Sequence, residues 1–271
     1  MEPDVVLYGF PASLCSQKVR LVLAEKGVAY EDRFVDIELR LTNYEPWYLR
    51  LNPKGVVPTL LHGERVVTNS ARILEYVDAA FEGPKLTPEH PGERERMAHW
   101  IGEQDRVRMR ELSYASFKGM LGLVLRRVSM PLRARKLRRL RQANPDLAAD
   151  YDAKIEDVRE WRTQIRDEAE IGAVRRELED VLRQVDEQLG KTCHLATDTY
   201  SLADVAWTCV LARLEMLGLA SSLWGDGRLP QLEAYYDTLR RRPSFAAARV
   251  WNAPPDLRAR RELLRAALAR A

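Results

Sequence analysis

Ser13, Cys15 and Ser16 stand together where an apolar run, Val5 to Phe10, gives way through Pro11-Ala12 to a helix-favouring segment that stops at Gly27. Unsatisfied N–H groups and the dipole make a helix start favourable for an anion, and the thiolate is the nucleophilic form of cysteine. Cys15, or a second thiol bound against Ser13, is therefore a candidate nucleophile at neutral pH. Position alone equally allows Cys15 as an inert small residue near the core, and Ser13 and Ser16 as simple N-caps.

Two further segments carry chemistry of a different kind. In Gly55-Val56-Val57-Pro58-Thr59-Leu60 a proline enters a strand. A cis bond there turns the Val57 N–H and C=O outward, where an extended peptide can pair with them. Asn69-Ser70 opens the next helical segment, and a main-chain N–H with a hydroxyl at such a start can hold a carboxylate, although an ordinary cap has the same signature. Together the three pieces make an activated sulfur position, a peptide-pairing edge and a carboxylate cradle.

The elements that must position them read as a strand at Val5 to Phe10, a helix to Gly27, a strand from Tyr30 to Ile37, a hairpin of Pro58 to Leu61 and Arg65 to Thr68 around His62-Gly63-Glu64, and a helix after Asn69-Ser70. The order β-α-β then β-β-α predicts a thioredoxin-like α/β domain over residues 1–82. Gly83-Pro84, Pro88 and Pro91-Gly92 punctuate a linker, after which helical periodicity takes over. An all-α helical bundle is expected over residues 93–251, with helices over Glu93–Val128, Leu147–Ala169, Val174–Leu189, Leu202–Leu217 and Pro230–Arg241. A basic helical insertion occupies about 126–170, where Arg126 to Arg141 holds eight cations and no acid. It is expected to be a solvated helix paired with the acidic run Asp150, Asp152, Glu156, Asp157 and Glu160, because no aromatic residue is interleaved to stack on bases. Residues 252–271 form an Arg-rich tail.

Composition narrows the function classes. With 271 residues and 46% apolar content, the chain can bury a sizeable core. Three cysteines, Cys15, Cys193 and Cys209, and four scattered histidines have neither disulfide-framework nor zinc-ligand spacing, so no metal is expected. A net charge of +3 drawn from 43 cations and 40 anions gives no general affinity for nucleic acid. No apolar stretch approaches the roughly 20 residues that span a bilayer, and the start lacks a basic and an apolar leader region, so a cytoplasmic protein is expected.

Cys15-Ser16-Gln17-Lys18-Val19-Arg20, Asn52-Pro53-Lys54-Gly55-Val56-Val57-Pro58-Thr59-Leu60 and Tyr200-Ser201-Leu202-Ala203-Asp204 resemble the signatures of the glutathione transferase superfamily. The last is a capping box with Asp204 in place of the usual Glu, a folding element rather than a chemical one. Within the superfamily the chain is most similar to the bacterial reductive dehalogenases of halogenated hydroquinones. That likeness rests on Ser13-Leu14-Cys15-Ser16, Asn43-Tyr44-Glu45-Pro46, Val56 to Leu60, Arg65 to Ser70 and Leu211 to Leu217, and on a basic insertion at the same place. Weaker likenesses run to zeta-class maleylacetoacetate isomerases, whose usual Trp and Arg are Gln17 and Lys18 here, and to the ganglioside-induced differentiation-associated proteins through Leu217 to Leu219, Trp224 to Gly227 and Pro230 to Tyr236.

The resemblance implies the glutathione transferase fold, glutathione as co-substrate and a homodimer. It implies Ser13 and Cys15 as the catalytic pair, with Val57 and Pro58 pairing the peptide, Asn69 and Ser70 holding a carboxylate, and Lys54 reaching a second carboxylate. A small aromatic electrophile would sit between the domains, with Met109, Tyr114, Phe117 and Trp207 as candidate walls. The expected activity is reductive dehalogenation or thiol–disulfide chemistry on hydroquinone-like aromatics. The alternatives are Ser13-dependent conjugation or ether cleavage of other electrophiles, and a non-catalytic glutathione-binding sensor or scaffold.

Overall fold

The computed structural model describes residues 4–116 and 129–250. The first half is built on a four-stranded sheet of β1 (Val5–Gly9), β2 (Glu31–Phe34), β3 (Thr59–His62) and β4 (Arg65–Thr68), in the order β2-β1-β3-β4. β1 and β2 are parallel, joined by the crossover helix α1 (Leu14–Glu25), whereas β3 runs antiparallel to both β1 and β4. The second strand is shorter than the expected Tyr30 to Ile37. It is an edge strand whose Asp32, Arg33 and Phe34 are exposed, and its charges suit an unpaired edge. α2 (Pro46–Leu51), started by a proline at its first position, and α3 (Ser70–Ala80) complete this half.

Beyond it run α4 (Pro91–Arg106), α5 (Met109–Ser116), α6 (Met130–Ala143), α7 (Ala148–Gln164), α8 (Glu168–Leu189), α9 (Leu202–Met216), the short α10 (Ala220–Leu223), α11 (Pro230–Arg240) and α12 (Pro243–Ala247). The helix expected without a break from Glu93 to Val128 instead ends at Arg106 and restarts at Met109, with Val107 extended between them. No Gly or Pro marks that break. It lets α5 turn against α8, an arrangement fixed by tertiary packing. α8 also starts earlier than expected, because Asp167 accepts hydrogen bonds from the Ala169 and Glu170 N–H groups and caps it at Glu168. Residues 117–128, with Phe117, Arg126 and Arg127, and the Arg-rich 252–271 tail lie outside the described residues.

One core crosses both halves. Val5, Leu7 and Leu60 of the sheet, Val19 to Leu23 of α1, Ile73, Leu74 and Val77 of α3, and Trp207, Val210, Leu211 and Leu214 of α9 belong to it, apart from the polar Arg20. α9 is buried along Leu202 to Leu214, and α1 from Ser16 to Leu23 lies between α3 and α9. A helix enclosed on all sides must satisfy its polar groups internally. Lys18 does so by donating to Gln104 Oε1 at 2.6 Å and Asp105 Oδ1 at 3.2 Å on α4, and Arg20 by gripping both carboxylate oxygens of Asp32 at 2.9 and 3.0 Å. Gly27, at φ +67°, lets the chain leave α1 in the left-handed conformation that an L side chain resists.

The basic insertion is solvated along one face only, where Arg135, Arg138, Arg139 and Arg141 are exposed. On α6, Met130, Arg133 and Leu137 are buried, and Leu137, Leu147, Tyr151 and Val158 pack with Leu41, Tyr44 and Leu49 of the first half. Arg141 does pair with Asp152 on α7, as the charge pattern suggests. Arg133 instead meets Glu38 at 2.7 Å, Lys136 meets Glu45 and the Arg40 carbonyl, and Arg50 meets Asp146 at 2.8 Å. The α6–α7 hairpin is thereby clamped onto the loop between β2 and α2 by an apolar seam ringed with ion pairs.

The end of α1 is tied to the end of α3 and the linker by Lys26, which donates to Asp78 Oδ1 at 3.2 Å and to the Pro84 carbonyl at 3.0 Å. Burial opposes the ionised form of Asp78, but the Leu86 N–H, the Thr87 hydroxyl and the Lys26 ammonium outweigh it and hold the carboxyl below its ordinary value. A carboxyl whose folded value is depressed adds stability that is complete above its unfolded value and is lost as pH falls through the folded one. Asp78→Asn should therefore cost about 2 kcal/mol at neutral pH. In denaturant titrations the gap between wild type and variant should close progressively as pH drops below the ordinary carboxylate range. A gap that stays constant with pH would show that this pair carries no linked stability.

Candidate active site at the carboxyl end of the first strand

The sheet register brings the three segments together. Tyr8 of β1 lies opposite Thr59 of β3, and Thr59 lies opposite Thr68 of β4. The turn after β1, the Val57-Pro58 bond before β3 and the Asn69-Ser70 helix start after β4 therefore meet at one end of the sheet.

Ser13 is the N-cap of α1, and its Oγ accepts the Ser16 N–H at 3.3 Å. The Ser13 O–H proton remains available to donate to another group. Cys15, in the first turn, is partly exposed, and its N–H and that of Leu14 have no acceptor among the described residues. Ser16 is fully buried and accepts the Phe10 N–H at 3.2 Å, which makes it a turn-closing residue. Gln17, also buried, donates to the Pro11 carbonyl at 3.1 Å. Of the other thiols, Cys193 is exposed, and Cys209 is buried in α9, where burial pushes its thiol up to about 12.

The Val57–Pro58 bond is cis. Its loop is held from behind: the Val56 carbonyl accepts Tyr48 Oη and Asn52 Nδ2, both at 2.8 Å, and the Gly55 carbonyl accepts Asn43 Nδ2 at 2.8 Å. Gly55 sits at φ +56° with the Asn43 carbonyl 3.2 Å from where a Cβ would lie, so a side chain there would be strained and crowded. The Val57 N–H and C=O make no hydrogen bond among the described residues. Lys54 is exposed on this loop, its N–H bonded to Asn52 Oδ1 at 3.2 Å. Asn69 caps α3 from the left-handed region, φ 71°, by accepting the Arg72 N–H. Ser70 follows, buried, at a helix start where the Ser70 and Ala71 N–H groups have no acceptor among the described residues.

The candidate walls of the acceptor pocket fare differently. Trp207 is fully buried and donates Nε1–H to the Trp100 carbonyl at 2.9 Å, so it has no surface to offer a substrate. Met109 is buried in the main core. Tyr114 is half-buried, donates its hydroxyl to Glu38 and packs edge-on against Trp161 at 4.6 Å. Burial and the adjacent Glu38 charge push its phenol well above the ordinary value. Phe117 lies outside the described residues.

Sequence reasoning passed over Arg213. It is buried on α9 and donates to the carbonyl of Ala12, the residue before Ser13. Its signal was a cation standing alone in the apolar stretch Trp207 to Leu214. Among the described residues no group of three or more His, Cys, Asp or Glu side chains is placed to hold a metal, and no helix is long and apolar enough to cross a membrane.

A thioredoxin-like sheet with a cis-proline edge, an N-capped thiol turn and a fused helical half defines the glutathione transferase architecture. The chain matches the glutathione S-transferase N-terminal domain family over residues 7–85 and the C-terminal domain family over residues 148–243. It belongs to the glutathione transferase family. Tetrachloro-p-hydroquinone reductive dehalogenase of Sphingobium chlorophenolicum is 36% identical to it over 92% of this chain and 96% of that relative. The human ganglioside-induced differentiation-associated protein 1-like 1 is 28% identical over 89% of this chain and 72% of that protein. Among solved structures, the beta-etherase LigF of Sphingobium sp. strain SYK-6 superposes with a TM-score of 0.70 at 25% identity, covering 90% of this chain and 98% of that one.

Proposed function

We propose that this chain uses glutathione to remove halogen reductively from hydroquinone-like aromatics, working as a homodimer. The observation that carries the reading is the pairing, at the start of α1, of an N-cap serine whose O–H makes no bond among the described residues and a partly exposed cysteine. The similarity to a reductive dehalogenase supports it. The open Val57 N–H and C=O fit the cysteinyl backbone of glutathione, and the α3 start at Ser70 fits one of its carboxylates, with Lys54 near enough in the chain to reach the other.

Ser13 donates a hydrogen bond to the glutathione thiolate, and this sulfur forms a C–S bond as the ring carbon releases halide. The Cys15 thiolate then attacks the glutathionyl sulfur. An S–S bond forms, the C–S bond breaks, and its electron pair stays on the ring carbon, which takes up a proton. A second glutathione thiolate exchanges with the Cys15 mixed disulfide and leaves oxidised glutathione, so that two thiols supply the two electrons that replace halogen by hydrogen.

The test is intact-mass spectrometry of wild type and Cys15→Ala after incubation with oxidised glutathione, followed by peptide mapping. Wild type should gain a glutathione on Cys15 that Cys15→Ala lacks, removable by excess glutathione; any adduct on the exposed Cys193 is common to both proteins, and Cys209 should stay unmodified because its buried thiol is not ionised. Conjugation or ether cleavage by Ser13 alone is the second reading, favoured by the structural similarity to the beta-etherase. It prevails if no adduct forms on Cys15 and Cys15→Ala retains conjugating activity.

A further inference from the structure

Arg213 is 8% exposed, yet it makes no ion pair among the described residues. Its one hydrogen bond there runs to the Ala12 carbonyl, immediately before Ser13. Other buried cations are compensated: Lys18 has Asp105, Arg20 has Asp32, Lys26 has Asp78 and Arg133 has Glu38. The groups that feel the Arg213 charge are Cys209, Tyr114, Cys15 and Glu38. Of these, Glu38 is already committed to Tyr114 and Arg133, Cys209 is buried and un-ionised, and Tyr114 keeps its proton, which leaves only Cys15, the reacting thiol itself. Burial lowers the guanidinium below its ordinary value, and the neighbouring Cys209, Tyr114, Cys15 and Glu38 offset this only in part. The N–H groups of Leu14 and Cys15, which have no acceptor among the described residues, belong to the same turn, at a helix start. A buried cation with no ion pair among the described residues, beside a helix N-terminus, is suited to an anion that arrives as a ligand.

We propose that Arg213 and the first turn of α1 hold the ionised hydroxyl of the acceptor, so that the enzyme selects phenolates over neutral aromatics of the same shape. The inference rests on the reading of Ser13 and Cys15 as the reacting centre. A phenolate next to the electrophilic carbon would place its oxygen against the guanidinium and its ring toward Tyr114, with the reacting carbon over the sulfur. Arg213 thereby determines specificity, and its charge offsets part of the electron density that the ionised hydroxyl puts into the ring.

The test separates binding from turnover. Isothermal titration at a pH where 2,4,6-trichlorophenol is ionised compares this probe with its neutral methyl ether, in the presence of saturating S-methylglutathione, which cannot react. Wild type should bind the phenolate at least 10-fold more tightly than the ether, a margin within the range of a charge-assisted hydrogen bond. Arg213→Gln keeps an N–H for the Ala12 carbonyl and removes the charge, and it should erase the preference by weakening phenolate binding alone. Arg213→Lys keeps the charge and should retain most of it. A wild type with no preference, or an Arg213→Gln protein with the wild-type preference, overturns the proposal, because a residue that only tethers the Ala12 turn would not move this ratio. If Arg213→Gln does not fold, the wild-type ratio and its retention in Arg213→Lys decide the matter. Failure of the Cys15 adduct assay would sink the dehalogenation mechanism and leave this result standing, since neither probe is turned over.

Discussion

Replacing Asp204 by Ala should destabilise the protein by about 3–5 kcal/mol, the cost typical of breaking a buried charged hydrogen-bond network. Asp204 is fully buried at the start of α9, and its two oxygens accept four bonds. These come from the Ser201 N–H and hydroxyl, both at 2.7 Å, the Leu195 N–H at 3.0 Å and the Tyr235 hydroxyl at 2.5 Å. The carboxylate thus caps the helix that runs through the centre of the molecule while pinning the loop before it and α11 beside it. Alanine leaves four buried donors without an acceptor, and water cannot reach them. Asn keeps one acceptor oxygen and should cost roughly half as much. Urea unfolding followed by far-ultraviolet circular dichroism measures both variants. A loss below about 1 kcal/mol for Asp204→Ala would mean that the network is replaced by other contacts.

The second large effect is kinetic. Ser13→Ala should lower kcat/KM for glutathione with an activated chloroarene by about 100-fold, the scale seen when a single donor to a developing or bound anion is removed. The substitution also deletes the α1 N-cap, at about 1 kcal/mol of stability, so a thermal melt on the same sample separates the two consequences. Ser13→Thr restores both hydroxyl functions and should recover most of the rate. The pH dependence is the sharper readout: without the Ser13 donor, the rise of rate with pH should move to higher pH, because the glutathione thiolate is no longer favoured over the thiol. Retention of more than a third of wild-type kcat/KM in Ser13→Ala would remove Ser13 from the chemistry.

These expectations differ in how openly the chain announces them. The N-cap at Ser13, the proline before β3, the cap at Asn69 and the box from Ser201 to Asp204 are local devices whose partners lie within about three residues, and periodicity marks the helices they start. Such devices are legible because the atoms that satisfy one another are neighbours along the chain. The break at Val107 is not, since no turn residue produces it and only the fit of α5 against α8 does.

The sequence by itself determined the class of fold, the order of the strands, and the three segments that meet in the candidate site. Each of these follows from short-range pattern, capping and turn chemistry. Only the tertiary structure decided which long-range partner each charge takes. The cations of the insertion were matched by composition to the acids that follow them, yet Arg133 and Lys136 reach Glu38 and Glu45, more than 90 positions earlier, because an apolar seam carries α6 onto the first half. In the same way α9 was legible as an apolar helix, but the contact of Arg213 with the turn at Ala12, 201 positions away, exists only because α9 packs along α1. A buried charge has to be met by whatever packing brings beside it, and packing is a property of the whole chain.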